Sequence, residues 1–188
     1  MSTSETAAAA DRAVALLRGC GAETLPHPGG TLLAHLERVR TRLAGWDARP
    51  ALQLAGLCHA FYGTDGFPTA LLPPDARPRL VAAVGAEAEA IVYLYAACDR
   101  RATYPSLDRA DGAVLDRFTG RPVVPGPQLR RDLAELSAAN ELDLAATDPA
   151  FRDRHGPALL TLFTRLHPLL SPGARDDCRI LLTPPRNP

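Results

Sequence analysis

The chain has 188 residues, and its 21 basic and 21 acidic residues give a formal net charge of zero. This balance provides no overall attraction to nucleic acid or to an anionic membrane surface, and we expect neither as a partner. The length fits one domain that buries its own core without a structural metal or disulfide bonds. All the basic side chains are arginine, which together with abundant Ala, Pro and Gly is typical of a GC-rich bacterial source.

Two features predict a cytoplasmic location. The segment Met1–Ala7 has neither the positive start nor the apolar stretch of a signal peptide, and no later apolar run approaches the ~18 residues that span a bilayer. The cysteines are scattered without a Cys-x-x-Cys pair, which favours reduced thiols. They are Cys20, Cys58, Cys98 and Cys178.

The first two predicted helices flank a loop rich in proline and glycine. The first helix is expected over residues 5–18, with Ser4 as its cap and Gly19 at its end. The loop 25–30 follows, and Thr31 can cap the second helix. Apolar residues and one histidine recur at helical spacing in this second helix, so the histidine is predicted to face the core. They are Leu32, His35, Leu36, Val39 and Leu43.

The third predicted helix carries the most informative segment of the chain. Pro50 suits the first turn of a helix over residues 48–61, which is apolar nearly all round and therefore central. Gly63 follows its end, so we expect His59 and Tyr62 to lie one turn apart on one face of the final turn.

The rest of the chain is predicted to be helical apart from one β-hairpin. Thr119-Gly120 joins two short apolar runs within residues 113–124, and Pro122 confines the second strand to an edge. The helices are expected over residues 74–84, 86–101, 127–146 and 149–182, the last interrupted at Gly156-Pro157 and at 168–172.

These elements predict an all-α fold, a single-domain helical bundle with a small β-hairpin insertion. No internal repeat and no second core is evident. The core is expected over residues about 26–146, followed by C-terminal helices over 149–182 and a Pro-rich tail, 183–188, that should fray.

Two histidine segments together resemble a known family of helical metalloproteins. His35-x-x-Arg38-Val39 is followed by Ala55-Gly56-Leu57-Cys58-His59-Ala60-Phe61-Tyr62, and Leu136–Asp143 comes later. This pattern, over residues 26–146, resembles the HD-domain superfamily and implies an HD-like bundle. The string His59–Thr64 is also similar to the H-x-F/Y-Y-G-T motif of an uncharacterised HD-like family, which implies a fold and no function.

The resemblance places His35 and His59 at metal-ligand positions. The family has aspartates where this chain has Ala60 and Asn140, and each missing aspartate removes a hard anionic ligand. A histidine before the second helix and an aspartate after the third are available as substitutes. The predicted ligand set for divalent iron, manganese or zinc is His27, His35, His59 and Asp65.

The polar residues of these segments receive candidate roles. Imidazole titrates near neutral pH and suits acid–base catalysis, whereas arginine suits a phosphate or carboxylate. The candidate catalytic residues are His59, Tyr62 and Asp65. The candidate substrate-binding residues are Arg38, Asn140 and Asp143.

Three functions remain open on the sequence. The first is a metal-dependent small-molecule enzyme, a hydrolase rather than an oxygenase, around His35, His59 and Tyr62. The second is a metal-free HD-like pocket that binds a small molecule or performs acid–base chemistry with the same residues. The third is a non-catalytic interaction module, in which the histidines are separate core residues satisfied by ordinary hydrogen bonds.

Overall fold

The computed structural model describes residues 3–183, which form nine α-helices and two two-stranded sheets. The all-α class with a small hairpin, predicted from the sequence, is confirmed, whereas the predicted tail lies outside the described residues from position 184 onward. The helices are α1 Thr3–Gly19, α2 Leu32–Gly45, α3 Pro50–Cys58, α4 Arg77–Val84, α5 Ala86–Ala97, α6 Arg100–Thr103, α7 Pro127–Thr147, α8 Pro149–Arg165 and α9 Pro172–Leu182. The strands are β1 Pro26–His27, β2 Gly30–Thr31, β3 Val114–Asp116 and β4 Arg121–Val123.

Helix α2, which carries His35, and helix α3, which ends beside His59, form a closely packed pair. The α2 helix begins after Thr31, whose side chain accepts a hydrogen bond from the backbone N–H of Ala34 at 3.3 Å, as the sequence predicts. A Cβ atom on Gly56 would lie 2.5 Å from Cδ1 of Leu43, which is fully buried. Glycine at this position therefore allows the two helices to approach.

The third helix ends earlier than the sequence predicts. Cys58 is its last residue, and His59 is its C-cap. The chain then turns through Gly63, whose φ of 68° lies in the left-handed region that favours glycine. Residues 59–62 already lie in turns beyond the helix, and Tyr62 binds Glu89 whereas His59 binds the Gly56 carbonyl, so the prediction that they share one helical face is wrong.

The α7 helix is central and carries an unusual number of buried polar side chains. It packs against α2, α3, α5, α8 and α9. Its buried polar residues are Arg130, Asp132, Glu135, Ser137, Asn140, Glu141 and Asp143. Buried polar groups require hydrogen-bonding partners, so the neighbouring elements must supply them.

The structure differs from the sequence predictions in α8 and in α1. Pro157 lies inside α8 without interrupting it, contrary to the sequence prediction. The ring is exposed, so water can satisfy the carbonyl that lacks a helical N–H partner. The α1 helix also contributes fully buried residues, such as Ala13 and Leu17, to the common core.

The hairpin is confirmed in the predicted segment. Strands β3 and β4 pair antiparallel, with Leu115 opposite Pro122. A second, unpredicted antiparallel pair, β1 and β2, brings His27 opposite Gly30 just before α2. Within residues 3–183, no helix has the length and apolar character needed to cross a bilayer.

Candidate active site

His35 projects from α2 into the core and is bound on both sides by α7. Its Nδ1 lies 2.6 Å from Oδ2 of Asp143, and its Nε2 lies 3.2 Å from Oδ1 of Asn140. Because an ionised carboxylate can only accept, Nδ1 of His35 carries a hydrogen and donates it. Asp143 therefore fixes the orientation of the ring and leaves Nε2 directed away from it.

His59, at the end of α3, faces the same point. Its Nδ1 donates to the carbonyl oxygen of Gly56 at 2.8 Å, so its Nε2 carries a lone pair in the neutral ring. That Nε2 lies 3.4 Å from Nε2 of His35. Burial, followed by the proximity of His35, lowers the pKa of His59 to about 3. The ring of His59 is therefore neutral near pH 7.

Asn140 adds a third acceptor to the space between the rings. Its Nδ2 donates to Oε1 of Glu141 at 3.2 Å, and this bond turns its Oδ1 towards His35. Nε2 of His35 thus faces an amide oxygen and the lone pair of His59. Acceptors so arranged repel one another unless a cation lies between them. Either a second proton on His35 or a metal ion can provide that charge.

Asp143 is the buried anion behind His35. Arg38 donates to it twice, from Nε to Oδ1 at 2.7 Å and from Nη2 to Oδ2 at 2.9 Å. Burial alone would raise the pKa of Asp143, but the hydrogen bonds from His35 and Arg38 outweigh burial and lower it to about 2. The carboxylate is therefore ionised and can compensate a positive charge on His35.

His27 reaches the site from the β1–β2 turn. Its ring stacks on that of His35, with 4.1 Å between the ring centroids and 27° between the planes. Burial, and then His35, lowers the pKa of His27 to about 4. Because imidazole lone pairs lie in the ring plane, a stacked ring does not direct a nitrogen between the facing Nε2 atoms. The ring of His27 therefore forms part of the wall of the site and is not directed at its centre.

A cavity of about 220 Å³ adjoins the facing histidines. His27, His59 and Asn140 line its polar side, and residues of four different segments form its apolar side. Its apolar residues include Leu32, Phe67, Leu144 and Phe151.

A second groove, of about 800 Å³, lies between α2, α7 and α9 and is lined by Arg38, Asp143 and Trp46 among others. Asp143 lines this groove but not the smaller cavity. The smaller cavity is the stronger candidate site, because buried polar groups converge beside it.

The structure does not bring Tyr62 and Asp65 to this cavity. The Tyr62 hydroxyl donates to Oε1 of Glu89 at 3.0 Å, and Arg77 binds the same carboxylate. Burial and the charge of Glu89 raise the pKa of Tyr62, which makes it a poor proton donor at neutral pH. Oδ2 of Asp65 accepts from the backbone N–H of Arg100 at 3.0 Å, at the start of α6. Neither side chain lines the cavity.

The predicted four-residue metal set is consequently not assembled. Among residues 3–183, no group of three or more His, Cys, Asp or Glu side chains is arranged to hold a metal ion. The acceptors that do converge belong to His35, His59 and Asn140.

The comparisons with known proteins give no activity. A family described as "Domain of unknown function (DUF6817)" matches residues 16–100, which is less than half of the chain. The match includes His35 and His59 but not Asn140 and Asp143. No curated protein and no solved structure shows significant similarity to the chain.

Arg100 and Glu141 line the cavity and are absent from the site residues predicted from the sequence. Nη1 of Arg100 donates to Oε1 of Glu141 at 2.7 Å, and Nη2 donates to the hydroxyl of Tyr95 at 2.7 Å. Arg100 follows a helix end, where arginines are usually solvated, so its pattern favours a surface position. Glu141 follows the candidate residue Asn140 in α7. The burial of α7 on several sides places Glu141 in the interior, and Arg100 reaches it there from α6.

Proposed function

We propose that this protein is a small-molecule enzyme built on an HD-like helical bundle, and that its active pocket is the cavity beside His35 and His59. One observation carries the proposal: both rings are held through Nδ1, so their Nε2 atoms face each other at 3.4 Å beside the cavity. Separate core histidines would each be satisfied by their own partners. Here the two Nε2 atoms instead face each other, and Nε2 of His35 also faces an amide oxygen.

The chemistry that follows is acid–base catalysis by the histidine pair. His59 lines the cavity wall, and its Nε2 lone pair becomes a proton acceptor once the Nε2 proton of His35 has moved to a bound molecule, because the charge of His35 is one cause of the low pKa of His59. His35 would be the acid of the pair: with a proton on both nitrogens it is stabilised by the Asp143 carboxylate, and transfer of its Nε2 proton to a bound molecule frees the lone pair of His59 to accept the proton that the molecule loses. Removal and return of a proton by these two rings would suit an isomerisation, an elimination or a hydration. General acid–base catalysis of this kind contributes roughly 10²–10⁴-fold in rate.

The second candidate is a metal-dependent hydrolase at the same point. The ligands of a metal ion with bonds near ~2.1 Å lie about 3.0–3.4 Å apart. The separations of His35 Nε2 from His59 Nε2 and from Asn140 Oδ1, 3.4 and 3.2 Å, fit that spacing. Both rings also have the Nδ1 partners that orient histidine ligands. A divalent ion held by these three residues would supply a bound water of lowered pKa.

The enzymatic proposal is tested by metabolite conversion. The purified protein is incubated with a broad metabolite extract, and the extract is compared by mass spectrometry with extracts treated with His35→Gln and His59→Gln. At least one metabolite should change with the wild type and with the control His167→Gln, whose histidine is exposed, but not with the other variants. Identical profiles for all four proteins would instead favour the non-catalytic interaction module.

The choice between proton and metal is made by elemental analysis. Protein purified without chelator or histidine tag should contain only substoichiometric iron, manganese and zinc if a proton occupies the site. Stoichiometric metal in the wild type that is lost in His35→Gln and His59→Gln would establish the second candidate. His27→Gln is a matched variant, because this stacked ring should not affect the metal content.

A further inference from the structure

The charged groups that line the cavity are unequally satisfied. Among the described residues that line the cavity, Arg100 is the one arginine and Glu141 is the one carboxylate. Oε1 of Glu141 accepts from both Arg100 Nη1 and Asn140 Nδ2. The acidic member is therefore already engaged from two sides, whereas the guanidinium retains unused donor capacity.

The unused donor is Nε of Arg100. Nη1 and Nη2 bind Glu141 and Tyr95, but Nε is buried and has no hydrogen-bond partner within residues 3–183. A buried donor without an acceptor is unfavourable, and a guanidinium edge presents parallel donors that match a carboxylate. A ligand that brings a carboxylate to this wall would satisfy Arg100 without displacing Glu141.

The remaining wall restricts the size and polarity of the ligand. Apolar surface comes from four parts of the chain. It is contributed by Leu32 of α2, Phe67 of the loop that follows α3, Leu144 of α7 and Phe151 of α8. The volume of about 220 Å³ is below the roughly 300–1,000 Å³ of sites for drug-sized molecules. The ligand should therefore have a compact apolar body and a single polar end.

We propose that the cavity binds a small monocarboxylate with a compact apolar or aromatic body, whose carboxylate pairs with Arg100. The inference rests on the proposed function only in taking this cavity as the site. The apolar body lies against Phe67 and Phe151, and the carbon atoms next to the carboxylate approach His59 and Asn140. A proton on such a carbon is the kind of proton that the histidine pair would transfer.

The test uses benzoate and benzamide, two probes of nearly equal shape that differ in charge. Isothermal titration at low ionic strength should give benzoate at least a tenfold lower Kd than benzamide with the wild type. The preference should disappear in Arg100→Gln, persist in Arg100→Lys, which keeps the charge, and be unchanged in Arg101→Gln, whose arginine is exposed. The wild-type comparison remains decisive if Arg100→Gln fails to fold.

The location of binding is tested with Ala60→Leu, which adds side-chain volume to the cavity wall. Benzoate affinity should fall at least tenfold in this variant while far-ultraviolet circular dichroism is unchanged. Equal affinities for benzoate and benzamide, no binding of benzoate, or binding unaffected by Ala60→Leu would each overturn the inference. None of these results alters the metabolite comparison of His35→Gln and His59→Gln, so failure of the proposed function would be recognised separately.

Discussion

Nε2 of His35 lies 3.4 Å from Nε2 of His59, and each ring is held from behind through its Nδ1. Asp143 holds the first ring and the Gly56 carbonyl holds the second, so neither ring can turn its Nε2 away without breaking a buried hydrogen bond. The two histidines therefore form one unit, and the consequences for stability and protonation can be measured.

Acid should destabilise the protein through His59. Its pKa is lowered from 6.5 to about 3 on folding, so between these values the unfolded chain binds a proton that the folded state does not. The free energy of unfolding should therefore fall as the pH decreases, by about 2 kcal/mol between pH 7 and 5 from this residue alone. Urea denaturation at both pH values should show a smaller loss for His59→Gln. An equal loss in both proteins would contradict this.

Asp143→Asn should be strongly destabilising. The substitution removes the buried anion between Arg38 and His35, and loss of one member of a buried ion pair costs about 3 kcal/mol. Denaturation at pH 7 measures the change. The matched control is Asp111→Asn, whose carboxylate pairs with Arg109 on the surface and whose loss should leave the midpoint unchanged. Similar midpoints for the two variants would exclude the proposed role of Asp143.

Tyr62→Phe tests the residue that the sequence assigns to catalysis. Its hydroxyl is bound to Glu89, which keeps both hydrogen bonds from Arg77, so its removal should cost about 1 kcal/mol. Metabolite conversion should be retained because the side chain does not line the cavity. Loss of conversion in a stably folded Tyr62→Phe protein would restore its predicted catalytic role.

Gly56→Ala should reveal the close packing of α2 and α3. The added Cβ would lie 2.5 Å from Cδ1 of the fully buried Leu43, and overpacking of this kind costs about 1–3 kcal/mol. Gly45→Ala is the control, because nothing lies within 4 Å of a Cβ at that position. Thermal denaturation should show a lower Tm for Gly56→Ala alone. A Tm equal to that of the wild type would mean that the helices separate readily.

Residue periodicity was sufficient to predict the first half of the site. The helical spacing of apolar residues in α2 correctly predicted that His35 faces the core, and Thr31 correctly predicted the start of that helix. Asn140, a candidate binding residue on the sequence, is likewise buried on α7. These predictions succeeded because each depends on the periodicity of one helix that packs against the core.

The rest of the site depends on contacts that periodicity does not encode. The early end of α3 separates His59 from Tyr62, because residues 59–62 lie in turns beyond Cys58. Arg100 faces the cavity because Glu141, 41 positions later in the sequence, provides a buried acceptor. Pairings between residues so distant in sequence follow from the packing of α7, and no spacing within one element predicts them.

The protonation of the two rings tests the central claim most directly. Nitrogen–proton correlation NMR of the histidine side chains, recorded at pH 7 on metal-free protein, distinguishes protonated from unprotonated ring nitrogens. His59 should be protonated on Nδ1 alone, and His35 should carry a proton on both nitrogens. A neutral His35 in the metal-free protein, or a His59 protonated on Nε2, would contradict the shared site.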